Sequence, residues 1–353
     1  MTRARSGRTL FARTLVARLD SDGDVLLAGP AVRAAATGSE HLTLLVAPSG
    51  EQAARLLPGV DEVVVWSCPW TGFVPPQVDP SSVTALVDRL RAGRFDLAVV
   101  LTSDHQSPLP LALLLRMAGV ARVVASSHDY PGSLLDVRHP PGGPHEVQRN
   151  LSLVSAAGLP VRGDDTDLAV VPWLPEPPAE VAALPRGHVV LHPASSVPSR
   201  SLAPEHAGAV ARALRTAGHP VVLTGTTADR AAADAVVAAS GGTGETFVDL
   251  TGRTSFAELA AVLASAGCLV SGNTGPAHLA AAVGTPVVCL FAPVVPAAAW
   301  RPWGVPVVLL GDQGADCAGT RARACPVPGH PCLTGVAPAE VLAAVQQLLP
   351  VVA

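Results

Sequence analysis

The sequence predicts an α/β protein made of two Rossmann-like halves, each built on a parallel sheet. Three observations lead there. Short apolar runs alternate with helical patterns from near the start of the chain, which implies right-handed crossovers between parallel strands. The alternation pauses at the proline-rich stretch Pro172-Trp173-Leu174-Pro175-Glu176-Pro177-Pro178 and Leu184-Pro185-Arg186-Gly187, which has a linker's composition. It then resumes. A length of 353 residues suits two domains, which we place at 1–172 and 188–353 around a linker at 173–187.

In the first half, Thr14-Leu15-Val16-Ala17 reads as the opening strand. A loop over residues 20–24 leads into a helix over 25–36. Strands follow at 42–47, 62–66, 97–101 and 122–125. Helices at 50–57, 81–92 and 109–118 separate them, and a further helix covers 145–157. In the second half, strands fall at 188–192, 221–224, 246–250, 268–271, 287–291 and 307–310. Helices are expected at 204–217, 229–239, 255–266, from Pro276 onward, and at 338–349.

Composition narrows the function. Hydrophobic residues make up 49% of the chain but aromatics only 3%, so two cores must be filled with Ala, Val and Leu. The net charge is −4, which argues against nucleic acid as a partner. No lysine occurs; every basic side chain is arginine. Arg3, Arg5 and Arg8 precede an apolar stretch that Arg13 and Arg18 interrupt, so no secretory signal is expected. The uncharged window from His278 to Trp300 is broken by Gly284-Thr285-Pro286 and reads as helix, turn and strand, not as a membrane span.

The most informative stretch is Ser271-Gly272-Asn273-Thr274-Gly275-Pro276-Ala277-His278-Leu279-Ala280-Ala281-Ala282, followed by Gly284-Thr285-Pro286. A strand ends in a small polar turn, and a helix starts with proline in its first turn, where the missing N–H costs nothing. The backbone N–H groups of such a helix start form an anion cradle. Asn273, Thr274 and Gly275 flank it, and His278 projects from the first turn.

That segment resembles the D-T-G-P-x-H-L-A-A-A-x-G-T-P signature of glycosyltransferase family 9, the heptosyltransferase family, with Asn273 where the family has Asp. Three further segments resemble it in order. Arg18, Gly23, Asp24, Pro30, Ala31 and Arg33 match an R-x-x-x-x-G-D-x-x-x-x-x-P-A-x-R pattern. His192-Pro193-Ala194-Ser195-Ser196 with Arg200 is similar to H-P-G-A-S followed by a basic residue, and Leu202 replaces the family's Trp. Gly225 to Asp229 and the loop Leu250-Thr251-Gly252-Arg253-Thr254-Ser255 are similar to the segments that hold ribose and adenine. The resemblance implies the GT-B architecture, two Rossmann-like domains with parallel sheets facing across a cleft.

The resemblance further implies an inverting, metal-independent transfer from a nucleotide-diphosphate sugar such as ADP-heptose, with no cofactor. Asp24 would be the catalytic base; as residue chemistry alone it reads first as a helix N-cap. Ser195, Ser196, Arg200, Asp229, Thr254, Asn273, Thr274, Gly275 and His278 would bind the donor. Asp229 has an alternative reading as a helix cap, and Thr254 as part of a plain turn. The acceptor, a glycan, glycolipid or small molecule, would meet loops 67–80 and 103–110. A cytoplasmic monomer with at most peripheral membrane contact is expected. The competing readings are a non-catalytic nucleotide-sugar binder and another GT-B enzyme, such as an epimerase.

Cysteine usage adds little. Cys68, Cys268 and Cys289 read as core thiols. Cys317, Cys325 and Cys332 lack the paired spacing of a zinc site and read as a packed loop of reduced thiols near His330.

Overall fold

The computed structural model describes residues 10–103, 105–185 and 187–349; Arg3, Arg5, Arg8, Asp104 and Arg186 lie outside them. The chain divides after Val171 into two compact units. The proline-rich stretch starts the second and contains one short helix, Ala179–Ala182.

The first unit holds strands β1 (Phe11–Arg18), β2 (Ser39–Val46), β3 (Glu62–Val65), β4 (Leu97–Leu101), β5 (Arg122–Ala125) and β6 (Val137–Arg138). The second holds β7 (Val189–His192), β8 (Val221–Leu223), β9 (Phe247–Asp249), β10 (Cys268–Gly272), β11 (Val287–Leu290) and β12 (Val307–Leu310). Their orders are β3-β2-β1-β4-β5-β6 and β12-β11-β10-β7-β8-β9, with every neighbouring pair parallel. Each is the doubly wound 3-2-1-4-5-6 order. Such sheets bind ligands beyond the carboxyl ends of the strands where the order reverses. Those points lie between β1 and β4 and between β7 and β10. Register sets the loops level there: Arg18 pairs with Leu101, and His192 with Ser271.

Helices cover the sheets, so the central strands are apolar without alternation, as parallel strands must be. All five residues of β4 are buried, as are all four of β7 and of β11. Leu15, Ala17, Leu45 and Val100 anchor the first core, and Leu191, Val210, Val270 and Val288 the second. Small side chains let helices lie close. The helix Gly275–Ala282 buries Ala277 through Ala282 between β10 and its neighbours. Gly284, at φ +84°, closes the turn into β11, a left-handed conformation that favours glycine.

The expected helix over 25–36 is two helices, Asp22–Leu27 and Gly29–Thr37. Pro30 has no N–H for the helical ladder, so the first helix ends at Ala28 and a second begins. The first also starts earlier than expected, so Asp24 lies in its first turn, and the cap is Ser21. The two-residue β6 is too short to show as a pattern. Among the described residues, no helix is long and apolar enough to cross a membrane.

Candidate active site

At the β1–β4 switch point a buried arginine gathers three carboxylates. Arg18 ends β1 with no exposed surface. Its Nε lies 2.8 Å from Asp20 Oδ2, its Nη2 3.3 Å from Asp24 Oδ1, and its Nη1 3.3 Å from Glu146 Oε2. Nη2 also donates to Ser103 Oγ at 2.9 Å. The partners come from the loop after β1, the helix Asp22–Leu27, the helix Glu146–Ala156 and the loop after β4. Burial works against the charge on Arg18, but the three carboxylates outweigh it and hold the guanidinium firmly protonated. Burial pushes the Asp20 carboxyl up; Arg18 opposes that, and the neighbouring Asp24 adds to it.

Asp24 is the member most open to solvent. Its side chain is 23% exposed, against 10% for Asp20 and 1% for Glu146. Ser21 Oγ donates to Asp24 Oδ2 at 2.7 Å, so each carboxylate oxygen has a partner and the orientation is fixed. This is the geometry of an aligned, accessible general base. Its neighbour Asp22 serves structure instead. Asp22 Oδ1 accepts from Ala53 N–H at 2.9 Å, and burial lifts its carboxyl to about 6.

At the β7–β10 switch point the loop 193–200 and the turn 272–275 lie side by side. A carbon added to Gly272 would come within 2.2 Å of the Arg200 carbonyl oxygen, so glycine permits this approach. Thr274 caps the helix Gly275–Ala282 in extended conformation; Pro276 has no N–H and the Ala277 N–H donates to Thr274 O at 3.0 Å, which leaves the Gly275 N–H as the first-turn donor without an acceptor in the helix. His278 sits one turn in and is buried. Ser196 is exposed, and Arg200 is half-buried. Ser195 Oγ accepts from Val197 N–H, which shapes the loop itself. His192, ending β7, bonds Thr224 Oγ1 through Nδ1 at 2.9 Å; burial pulls its imidazole down to about 4, so it stays neutral.

Two of the residues expected to bind the donor also bond within the protein. Asn273 is buried, not in an open turn, and its carboxamide is bonded at both ends to the Ala292 peptide. Asp229 Oδ2 accepts from Thr226 N–H and Thr226 Oγ1, both at 2.7 Å, which completes a capping box. Thr254 is half-buried in the loop after β9, which Gly252 N–H ties to Gly225 O at 2.9 Å. Ser255 then caps the next helix with Glu258.

The cysteine loop braces the Arg200 turn, a role that its sequence did not suggest. Ser199 N–H donates to Arg323 O, Ser199 Oγ to Ala322 O, and His330 Nε2 meets Ser199 O at 3.0 Å. Cys317 and Cys332 are buried in the core and Cys325 is half-buried; none forms a disulfide. Burial raises the Cys332 thiol to about 12. Among the described residues, no group of three or more His, Cys, Asp or Glu is placed to hold a metal. Sequence reasoning also missed Arg18, Asp20 and Glu146 as site members. The signal was present for Arg18, a charge at the end of the apolar run Leu15-Val16-Ala17 and the first residue of the matched pattern.

Two doubly wound parallel sheets, each with its polar residues at the switch point, define the GT-B class of α/β protein. The model of glycosyltransferase family 9 (heptosyltransferase) matches residues 83–330, and the chain belongs to that family of glycosyltransferases. It is 28% identical over 275 residues to lipopolysaccharide heptosyltransferase 3 of Escherichia coli strain K12, covering 76% of this chain and 78% of that protein. Its fold is similar to the Escherichia coli ADP-heptose lipopolysaccharide heptosyltransferase II, with TM-score 0.72 and 19% identity over 95% of this chain and 98% of that one. A family 9 glycosyltransferase from Veillonella parvula gives TM-score 0.75 with 17% identity over 96% and 97% of the two chains.

Proposed function

We propose that the protein transfers heptose from ADP-heptose to a hydroxyl of a glycan, glycolipid or small molecule, with inversion and without metal. The relatives named for lipopolysaccharide heptose transfer support a glycolipid of that kind as acceptor. The observation that carries the reading is the pairing of Asp24 with buried Arg18 and Ser21 at a switch point, with part of its carboxylate open to solvent. Asp24 takes the proton of the acceptor hydroxyl as that oxygen attacks the anomeric carbon. The second unit grips the donor: Arg200, Ser196, Thr274 and the Gly275 N–H at the start of its helix offset the charge on the leaving diphosphate. The fork of Arg200 replaces a metal in this role. Asn273 and Ser195 act by shaping the two loops. The protein works as a monomer in the cytoplasm, with at most peripheral membrane contact.

The test is a thermal-shift screen of ADP-heptose, ADP-glucose, UDP-glucose and GDP-mannose, followed by transfer assays with and without EDTA. A shift that favours ADP-heptose, and transfer that survives chelation, are expected. No shift with any nucleotide sugar would sink the donor reading. Activity lost in EDTA and restored by magnesium would sink the metal-independent one. Donor conversion without any acceptor would favour an epimerase.

A further inference from the structure

Glu146 and Asn150 stand one turn apart on the helix Glu146–Ala156, so they share a face. That face is buried: Glu146 is 1% exposed and Asn150 3%. Both side chains reach out of their own helix to the segment that carries Asp24. Glu146 Oε2 accepts from Arg18 Nη1 at 3.3 Å, and Arg18 in turn donates from Nη2 to Asp24 Oδ1. Asn150 Nδ2 donates to Leu27 O at 3.4 Å. Leu27 is the last residue of the helix Asp22–Leu27, and carbonyls at a helix end lack partners within the helix. One helix face therefore holds the proposed base from two directions, through its cation and through the end of its own helix.

The hold is directional. Asp20 Oδ2 lies 2.8 Å from Arg18 Nε as an ion pair without hydrogen-bond alignment. Nη2 divides its donors between Asp24 and Ser103. Nη1 is left to Glu146, so that contact fixes the other end of the guanidinium plane. Without it the fork can tilt, and Nη2 loses its line to Asp24. Glu146 is itself locked. Its Oε1 accepts from Arg149 Nη1 at 3.2 Å, and Arg149 Nε donates to Gly143 O. A capping box sets the helix start: His145 Nδ1 accepts from Val147 N–H, and Gln148 Oε1 from His145 N–H. The helix dipole alone favours a glutamate in the first turn. It does not account for burying the carboxylate against an arginine 128 positions away, which is costly unless the pair is well made.

We propose that Glu146 is a positioning residue for the transfer: it fixes the plane of Arg18, and so the direction of the Asp24 carboxylate toward the acceptor hydroxyl, while Asn150 steadies the helix that carries Asp24. The proposal rests on the transferase reading above and adds two residues to that site.

Two measurements on the full chain test it. The first needs no substrate: a double-mutant cycle in urea over the parent, Glu146→Leu, Asp24→Asn and the double variant. The two residues meet Arg18 on different nitrogens, so coupling through it should move the unfolding constant of the double variant threefold or more from the product of the single changes. A value within threefold of that product would overturn the proposal. The second is ADP release from ADP-heptose, with lipopolysaccharide from an Escherichia coli strain lacking heptosyltransferase 3 as the acceptor probe. Glu146→Leu should lower kcat tenfold or more, with donor KM and ADP affinity near those of the parent. Glu146→Gln keeps an oxygen for Arg18 Nη1 and should bring kcat back to within threefold of the parent. A loss confined to KM, or a Gln variant as slow as the Leu variant, would overturn the proposal. If Glu146→Leu does not fold, Asn150→Ala takes its place in both measurements, with a several-fold fall in kcat. A parent that releases no ADP counts against the transferase reading, and the cycle then decides the positioning alone, so the two failures are distinguishable.

Discussion

The carboxamide of Asn273 is bonded to both ends of one peptide group, that of Ala292. Nδ2 donates to the Ala292 carbonyl at 3.2 Å, and the Ala292 N–H donates to Oδ1 at 3.0 Å. The pair ties the end of β10 to the chain leaving β11, directly before the helix Gly275–Ala282. An aspartate could accept the N–H but would set a second oxygen against the carbonyl. Asn273→Asp should therefore lower stability by about 1–3 kcal/mol, the cost of a lost buried pairing. That penalty should shrink in acid, where a protonated carboxyl can donate again. Chemical denaturation at pH 5 and pH 8 checks it, and equal stability with the parent at both values would refute the clamp.

Much of the fold was legible because it rests on pattern. The runs that became β1, β4, β7, β10 and β11 are short apolar stretches that alternate with helical segments, as the covered strands of a parallel sheet do. Pro30 dividing one expected helix into two was visible in principle, but the apolar period runs through it. The site was less legible where partners are distant in sequence. Glu146 meets Arg18 across 128 positions and His330 meets Ser199 across 131, and no local pattern carries such pairs. The internal bonds of Asn273 and Asp229 were hidden for a related reason. A motif gives the residue type and not what its polar atoms are already bonded to.

Asp24→Asn should cut turnover by ~10²–10⁴, the usual contribution of a general base, and leave donor affinity near that of the parent. Arg18 separates alignment from chemistry. Arg18→Met leaves Asp20 without its cation and Glu146 with Arg149 alone, and should cost ~3–5 kcal/mol. Arg18→Lys keeps the charge but not a fork that reaches three carboxylates and Ser103. We expect it to fold, with kcat reduced at least tenfold and donor KM little changed. Stopped-point assays over a range of donor concentrations separate the two constants; a change confined to KM would contradict the positioning role.

Asp22 gives stability a pH dependence of known sign. Its folded carboxyl is raised to about 6 by burial from an ordinary value of 3.8. The folded state therefore holds a proton that the unfolded state has released, and stability falls as pH rises from about 4 to about 6. His192 has the opposite sign. Burial lowers it to about 4, so its contribution is lost as pH falls from 6.5 toward 4. Asp22→Asn keeps an oxygen for Ala53 N–H and should stabilise the protein by about 1 kcal/mol at pH 7, allowing for solvent screening. At pH 4 the gain should vanish. Urea midpoints across that range measure it, and a gain independent of pH would show that Asp22 titrates normally.

Arg200 is held from two sides, and each can be loosened alone. On one side its carbonyl lies over Gly272, where an added carbon would approach it to 2.2 Å. On the other, His330 Nε2 meets the Ser199 carbonyl, and Ser199 is bonded to the backbone of Ala322 and Arg323. Gly272→Ala must push the Arg200 turn away from the turn 272–275, because the obstructing atom is backbone and cannot rotate aside. His330→Ala removes one of three braces and leaves the rest. If Arg200 meets the donor diphosphate, both variants should weaken ADP binding. Gly272→Ala should weaken it at least tenfold and His330→Ala a few-fold, while adenosine, which lacks the diphosphate, binds both like the parent. Calorimetric titration of ADP and adenosine reads the difference directly. Parallel losses for both ligands would mean that the whole pocket has collapsed, and unchanged ADP affinity in Gly272→Ala would remove Arg200 from the donor site.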